Sequence, residues 1–182
     1  MRHIKIFKPI SLIILLFLIT SCSNNSAMKP EDFKNKEPRL IIEEYLSGDV
    51  KAWGVLQNRS GKVTRQFSAN LNGTWDGKQL ILKERFNWDD GEIQDREWTI
   101  NKIDDHNYEG TAGDVVGKAK GFSYGPAFKF EYVLLVPVKG RELKITFDDW
   151  IFKQDDRVAI NRATMTKFGF KVAELTVVFV KD

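Results

Sequence analysis

The sequence predicts an all-β protein, a closed antiparallel meander β-barrel of about ten strands with one short N-terminal helix. Apolar and polar residues alternate with period two along most of the chain after residue 48. Clusters of Gly, Asn and Asp interrupt this alternation at intervals of roughly 10 residues, which is where antiparallel strands turn. About ten strands in a domain of roughly 140 residues favour closure, because an open sheet would expose two long edges.

The N-terminal segment has the three parts of a secretion signal: a basic start, an apolar centre at residues 10–19, and small residues before Cys22. The apolar run is shorter than the roughly 20 residues that a membrane-spanning helix needs. Ile19-Thr20-Ser21-Cys22 resembles the bacterial lipobox, whose cysteine is acylated and freed by signal peptidase II. We therefore expect a lipoprotein signal peptide at 1–21 and a lipidated flexible tether at 22–38, with the acyl chains on Cys22.

The residue after the cysteine is Ser23, whereas an aspartate there favours retention in the inner membrane of Gram-negative bacteria. The resemblance to lipoproteins thus implies an outer-membrane protein that faces the periplasm and is held on the membrane by its lipid anchor. Loss of residues 1–21 removes three basic residues from the 28 in the full sequence, so that basic and acidic residues balance at 25 each. This balance does not favour a nucleic-acid partner.

Residues 38–48 have helical spacing of apolar side chains, with Pro38 suited to a first turn and Gly48 suited to a helix end. Ten strands are predicted after it, near 49–57, 63–71, 78–88, 92–102, 107–114, 118–124, 127–137, 142–153, 158–167 and 171–180. The turn signals between them are NRSG, NGTWDG, DDG, DDHN, VVG, YGP, VKGR, QDDR and FGF. We expect 39–182 to form one barrel domain with a cavity for a small ligand, as in lipocalins.

Several charged residues share a predicted strand face with apolar residues, and so they are expected to point into the barrel. If DDG (residues 89–91) is a three-residue loop, Glu84 lies opposite Arg96 on the next strand. If GTWD (residues 73–76) is a four-residue loop, Arg65 on the preceding strand also lies opposite Glu84. With QDDR as a four-residue loop, Asp149 faces Arg162. One interpretation is that these residues are cross-strand ion pairs that satisfy one another.

The other interpretation depends on a charge imbalance. The predicted pairings bring three arginines (Arg65, Arg96 and Arg162) together with only two carboxylates, Glu84 and Asp149. A spare guanidinium in an apolar cavity would bind a carboxylate or phosphate head group with two hydrogen bonds. Aromatic side chains around it would contact an acyl chain or simply form the core. The candidate ligand-binding residues are therefore Arg65, Glu84, Arg96, Asp149, Arg162, Trp88, Trp98 and Trp150.

Residues 121–125 match the G-x-S-x-G pattern of a nucleophile elbow, but that elbow needs a histidine later in the chain. His106 precedes Ser123 and is the one histidine left after the signal, so no catalytic residue is assigned. With Cys22 acylated, no His/Cys metal site is expected, and no cofactor is expected.

Several long segments are similar to a family of bacterial lipoproteins catalogued as domain of unknown function 3833. These segments are VKAWGVLQNRSGKVTRQF, NGTWDG, DREWTI, GDVVGKAKG and FDDWIFKQDDRVAINRATMTKFGFKVAELT. The resemblance covers nearly all of 39–182 and implies a lipobox protein associated with fatty-acid or membrane-lipid modification. It supplies no catalytic residues.

The function expected from these observations is that of an outer-membrane lipoprotein that binds or carries a fatty acid or modified lipid in its barrel. A second possibility is an enzyme on a lipid-like substrate, with Asp149 as base and Arg162 as its electrostatic partner. A third is a barrel with no cavity that serves as an envelope scaffold. The presence or absence of a cavity separates the third possibility from the other two.

Overall fold

A computed structural model describes residues 27–138 and 140–181, which form ten β-strands, one α-helix and one 3₁₀ helix. The 3₁₀ helix is Pro30–Phe33 and α1 is Ile42–Tyr45. The strands are β1 (Gly48–Asn58), β2 (Val63–Trp75), β3 (Gln79–Trp88), β4 (Ile93–Lys102), β5 (Asn107–Thr111), β6 (Ala119–Tyr124), β7 (Ala127–Val138), β8 (Arg141–Lys153), β9 (Val158–Lys167) and β10 (Phe170–Lys181).

The strands form a closed barrel in which each strand pairs antiparallel with its neighbour in sequence. The barrel closes between β1 and β10, where the register runs from Val50 opposite Lys181 to Asn58 opposite Ala173. Closure satisfies the backbone groups of strands that would otherwise form the sheet edges. The predicted antiparallel meander barrel with a minor helix is confirmed.

One end of the barrel is closed by the chain that precedes β1. Leu40, Ile42 and Leu46 are almost fully buried there. The Tyr45 hydroxyl donates a hydrogen bond of 2.9 Å to the carbonyl of Arg157, and Lys181 Nζ donates to carbonyl oxygens of residues 44, 45 and 47. These contacts close this end of the cavity.

The helix is shorter than the predicted 38–48 segment because its first residues are extended. The Leu40 N–H donates to the Gly125 carbonyl at 2.8 Å in the β6–β7 turn, which holds residue 40 against the sheet. The helix therefore begins only at Ile42, with the carbonyl of Ile41 accepting its first hydrogen bond, from the N–H of Tyr45.

Part of the predicted tether packs against the barrel. The ring of Phe33 lies 5.9 Å from that of Trp150 and 5.5 Å from that of Phe152 on the outer surface of β8. The predicted domain boundary at residue 39 thus lies inside a packed segment. The predicted signal peptide, Cys22 and the first residues of the tether lie outside the described residues. In the described part of the chain, no helix has the length and apolar character needed to cross a bilayer.

The predicted NGTWDG turn is wrong, because β2 continues to Trp75 and the turn lies at residues 76–78. Gly73 faces inward against the closing segment, where an added Cβ would overlap the carbonyl of Leu46. The glycine therefore marks a close approach of two backbones and not a turn.

Candidate ligand-binding site

The barrel contains a cavity of about 270 Å³ that extends from Ile42 and Leu46 at the closed end toward the opposite end. Inward side chains near the closed end, such as Leu80 and Ile100, are buried, whereas Trp88 and Leu175 at the other end are partly exposed. We call this second end the mouth. It is formed by the β1–β2, β3–β4, β7–β8 and β9–β10 turns and by loop 112–118 between β5 and β6.

Aromatic side chains form much of the inner wall. The ring of Trp98 lies 5.1 Å from that of Phe130 and 5.2 Å from that of Tyr132, and the Tyr132 ring is stacked at 4.9 Å on Phe147. The rings of Phe67 and Trp88 are in contact nearer the mouth, at 4.9 Å. Such a wall is suited to an apolar ligand.

A cluster of charged side chains interrupts this apolar wall at Arg96. Glu84 lies directly opposite Arg96 in the β3–β4 ladder, as predicted, with 4.0 Å between Oε2 and Nη1. Asp114 accepts two hydrogen bonds from Arg96, at 2.7 Å from Nη2 and 3.1 Å from Nε. The second Asp114 oxygen, Oδ1, is buried without a hydrogen-bond partner in the described structure. The guanidinium is thus bound on two sides by carboxylates.

Asp114 reaches Arg96 because loop 112–118 crosses the top of the sheet toward β7. β5 was predicted to run to residue 114 but ends at Thr111. The loop then pairs with β7, where the Asp114 carbonyl accepts a 2.9 Å hydrogen bond from the N–H of Leu135. This pairing fixes the Asp114 side chain over the cavity.

The Glu84 carboxyl is only 12% exposed, and its burial raises its pKa to about 7, although the Arg96 charge opposes this rise. The charges of Asp149 and Asp114 raise the pKa further. The carboxyl therefore titrates near neutral pH, and it can act as a hydrogen-bond donor or as an acceptor inside the cavity.

Asp149 lies in the barrel interior on β8, as predicted, but its partners differ from the prediction. It accepts a 2.8 Å hydrogen bond from the Tyr132 hydroxyl and another from the side-chain amide of Asn161. Burial raises the pKa of Asp149, and the hydrogen bonds from Asn161 and Tyr132 oppose this shift. These groups form a second polar cluster in the cavity wall.

The predicted pairing of Asp149 with Arg162 is wrong. Asp149 lies opposite Ala163, and the Arg162 side chain is 64% exposed on the outer surface, 3.6 Å from Glu174. The register between β8 and β9 is shifted by one residue from the prediction, because Lys153 lies opposite Ala159 and not opposite Val158. Within the turn, the Asp155 carboxylate accepts hydrogen bonds from the N–H groups of Arg157 and Val158. A shift of one residue turns each side chain of the strand to the other face.

Arg65 points inward near the mouth, but it does not lie opposite Glu84, whose partner on β2 is Leu71. Its Nη2 is 2.7 Å from Asp90 and 2.8 Å from Glu92, and its guanidinium lies 4.0 Å over the Trp88 ring. The guanidinium is therefore already paired with two carboxylates.

Trp150 is buried on the outer surface of the barrel, and its placement among the cavity residues is wrong. Phe33 and Phe152 pack on its ring, and Lys129 Nζ lies 5.3 Å from the ring centre. Trp88 and Trp98 do line the cavity, as predicted.

The described residues that line the cavity include two arginines and four carboxylates, so the predicted excess of guanidinium groups is wrong. The arginines are Arg65 and Arg96, and the carboxylates are Glu84, Glu92, Asp114 and Asp149. Arg162 is exposed, and loop 112–118 and the β3–β4 turn supply two acids that were not assigned to the site. Their position depends on how loops fold over the mouth, which the period-two pattern does not encode.

Ser123 and His106, which belong to the G-x-S-x-G interpretation of the sequence, make local contacts. The Ser123 hydroxyl donates a 3.2 Å hydrogen bond to the carbonyl of Leu40, and the His106 ring is stacked on Tyr124. Within residues 27–138 and 140–181, no three His, Cys, Asp or Glu side chains are grouped so as to hold a metal ion.

The family model described as "Protein of unknown function (DUF3833)" matches residues 16–181. No curated protein sequence matches the chain. The structure is similar to an S-type phycobiliprotein lyase from Guillardia theta, with a TM-score of 0.57 and 9% identity over 77% of this chain and 90% of that chain.

It is also similar to a protein of unknown function of the DUF3598 family from Nostoc punctiforme PCC 73102, with a TM-score of 0.60 and 15% identity. That match covers 81% of this chain and 51% of the other, so this chain spans about half of that protein. At these identities the similarity shows the barrel fold alone.

Proposed function

Because this chain belongs to the DUF3833 family, whose function is unknown, we propose its function from the barrel itself: it binds an amphipathic small molecule in the cavity. The observation that carries this proposal is a cavity of about 270 Å³ with an aromatic wall and a polar cluster at Glu84, Arg96 and Asp114. An apolar body would lie along the wall and a polar group would contact the cluster. The volume is slightly below the roughly 300 Å³ at which common ligand pockets begin, so the ligand is small or only partly enclosed.

The charges in the cavity disfavour an anionic polar group. A fatty-acid carboxylate at Arg96 would compete with Asp114 and lie close to Glu84, and like charges in a buried site repel each other strongly. A hydroxyl or amide group can instead donate to these carboxylates and accept from Arg96. We therefore assign the ligand to alcohols, amides or glycerides with an alkyl or aromatic body, with the fatty acid as the comparison ligand.

The structure gives less support to the two other functions that the sequence left open. An enzyme that uses Asp149 with Arg162 lacks that pair, because Arg162 lies on the outer surface. A scaffold with a solidly packed barrel would not contain a cavity. Ligand binding without chemistry is the simpler role for these residues.

The cellular place of this binding protein is part of the proposal. The lipobox at Cys22 and the serine after it support an outer-membrane lipoprotein that faces the periplasm, with its barrel held near the membrane by acyl chains. The ligand would then be a molecule of the cell envelope.

The test is a calorimetric titration of the protein with an alcohol, a carboxylic acid and an amine that share one alkyl chain. We expect the alcohol to bind more tightly than the acid near pH 8, where Glu84 is ionised. Glu84→Gln should bring the two affinities closer together, because it removes one of the repelling charges. Glu97→Gln, on the outer face of β4 and 57% exposed, is the matched control and should change neither affinity.

Two outcomes would contradict parts of this proposal. Tighter binding of the acid would contradict the assignment of an uncharged polar group while supporting the cavity as the site. Absence of binding for all three ligands, together with an organic extract of the purified protein that contains no small amphiphile by mass spectrometry, would contradict the proposed function.

A further inference from the structure

One side of the mouth is both basic and apolar. The β7–β8, β9–β10 and β1–β2 turns are neighbours there, because β10 pairs with β9 and β1 and β9 pairs with β8. The described residues of these turns, 58–63, 138, 140–141 and 167–172, include five Lys or Arg residues and no Asp or Glu. We call these three turns the basic lip. Most acids of the mouth lie on its other side, in the β3–β4 turn and in loop 112–118, but Glu174 on β10 forms a 2.9 Å ion pair with Lys171 of the lip.

Two phenylalanines project from the basic lip. Phe168 is 88% exposed and Phe170 is 75% exposed, and Lys167 Nζ lies 5.3 Å from the centre of the Phe168 ring. Val63 and Val138, in the flanking turns, are 43% and 40% exposed. Exposed aromatic rings surrounded by basic residues are typical of surfaces that contact a lipid interface.

The opposite end of the barrel has a different character. Its turns at residues 76–78, 103–106 and 154–157 contain five aspartates, with Lys78 and Arg157 as the basic residues. Among the turns of the barrel, those of the basic lip thus combine an excess of basic residues with exposed aromatic rings, next to the cavity opening, although the closing segment at the opposite end also carries Lys34, Lys36 and Arg39. This asymmetry would orient the protein in the field of a charged surface.

We propose that the basic lip docks the mouth of the barrel on an anionic lipid surface, with Phe168 and Phe170 entering the interfacial region. The charge of the lip is complementary to anionic phospholipid head groups, and a second copy of the same lip would repel it. Docking would place the cavity opening at the membrane, so that an amphipathic molecule could pass between bilayer and barrel with its apolar part shielded from water. The surface is separate from the lipid anchor expected at Cys22, and docking does not depend on which molecule the cavity binds.

The experiment uses the full-length chain with Cys22→Ser, which removes the single cysteine, and with Phe170→Cys labelled by an environment-sensitive nitrobenzoxadiazole dye. Vesicles of phosphatidylcholine with phosphatidylglycerol are compared with vesicles of phosphatidylcholine alone. We expect a blue shift and a gain in emission with the anionic vesicles only. Asp105→Cys, labelled in the same way at the opposite end, is the matched control and should show neither change.

Replacing Arg59, Lys62 and Arg141 by Gln in the labelled chain tests the charge requirement. Each basic residue near an anionic membrane improves binding by roughly fivefold, so the ratio of docked to undocked protein should fall on the order of 100-fold. The comparison is valid even if the N-terminal segment itself binds vesicles, since that contribution is common to both chains.

The proposal is overturned if the dye at position 170 does not respond to anionic vesicles that bind the chain, or if the dye at position 105 responds equally. It is also overturned if double-stranded DNA produces a larger response than the vesicles, because the lip would then be a nucleic-acid surface. Ligand binding in the cavity is measured separately by calorimetry on the same labelled chain. A negative result for vesicle docking therefore does not affect the interpretation of ligand binding, and a negative result for ligand binding does not affect that of docking.

Discussion

Glu84 gives the most quantitative prediction, because its environment makes protein stability depend on pH near neutrality. The carboxyl is buried beside Arg96, and its pKa is raised from an ordinary value of 4.5 to about 7. Between these two pH values the folded protein keeps a proton that the unfolded chain releases. The free energy of unfolding therefore falls as pH rises through this window.

The magnitude follows from the size of the shift. One pKa unit corresponds to about 1.36 kcal/mol, so the wild-type protein should lose about 3 kcal/mol through this group between pH 4 and pH 8. Glu84→Gln keeps the shape of the side chain and removes its titration. The unfolding free energy of the variant minus that of the wild type should consequently increase by about 3 kcal/mol over this range.

The assay is urea denaturation of both proteins at a series of pH values between 4 and 8. Other titrating groups contribute equally to both profiles, so that the difference isolates Glu84. Glu97→Gln is the control, and its difference from wild type should stay within about 0.5 kcal/mol at each pH, because exposed ion pairs contribute little. If the Glu84→Gln and wild-type profiles run parallel, the carboxyl is not desolvated and the account of the polar cluster is refuted.

Three further predictions concern the anchor, the cavity and the closed end. Cys22→Ala should abolish labelling by palmitate and release the protein from the membrane fraction, and continued labelling would contradict the lipobox assignment. Asp114→Asn should raise the affinity for an alkyl carboxylic acid roughly tenfold in calorimetry by freeing Arg96, whereas unchanged affinity would mean that Asp114 does not compete at this site. Lys102→Met should destabilise the protein by about 2 to 3 kcal/mol in urea denaturation, because the buried Glu43 carboxylate would lose its charged partner. Glu43 is 4% exposed and lies 2.7 Å from Lys102 Nζ. Equal stability of Lys102→Met and wild type would show that this ion pair does not stabilise the fold.

The strands were predictable because their pattern is local. Period-two alternation and the turn residues located ten strands, and β9 begins and ends where it was predicted. The β3–β4 register was also predictable, because Gly91, at φ +87°, permits the tight turn that places Glu84 opposite Arg96. Short loops with a glycine in the left-handed region leave few alternatives for the register.

The errors in strand register come from turns in which side chains make hydrogen bonds to the backbone. Between β8 and β9, where Asp155 accepts hydrogen bonds within the turn, the register differs by one residue from the prediction, and that shift places Arg162 on the surface and not in the cavity. In the β2–β3 turn the error was an even number of residues, so Arg65 still points inward but lies nearer the mouth. A shift by an even number of residues keeps each side chain on the same face of the sheet and changes only its position along the barrel axis.

The acidic character of the cavity was not predictable, because it depends on contacts between segments distant in sequence. Asp114 reaches Arg96 only because loop 112–118 pairs with β7, and Glu92 reaches Arg65 across the β2–β3–β4 surface. The composition of the loop gives no sign of this path. The FGF segment was predicted to be a turn. That its exposed phenylalanines lie beside the β1–β2 and β7–β8 turns follows only from the closure of the barrel.

The claim that the ligand lies inside the barrel is tested most directly by filling the cavity from one strand. Leu175 lines the cavity on β10, and the next residue, Thr176, lies on the outer surface opposite Val55 and Arg162. Calorimetric titration with an alkyl alcohol should show at least roughly tenfold weaker binding to Leu175→Trp and unchanged binding to Thr176→Trp, since added volume in a filled site expels the ligand. Equal binding to both variants would contradict the account, because the ligand would then lie outside the barrel.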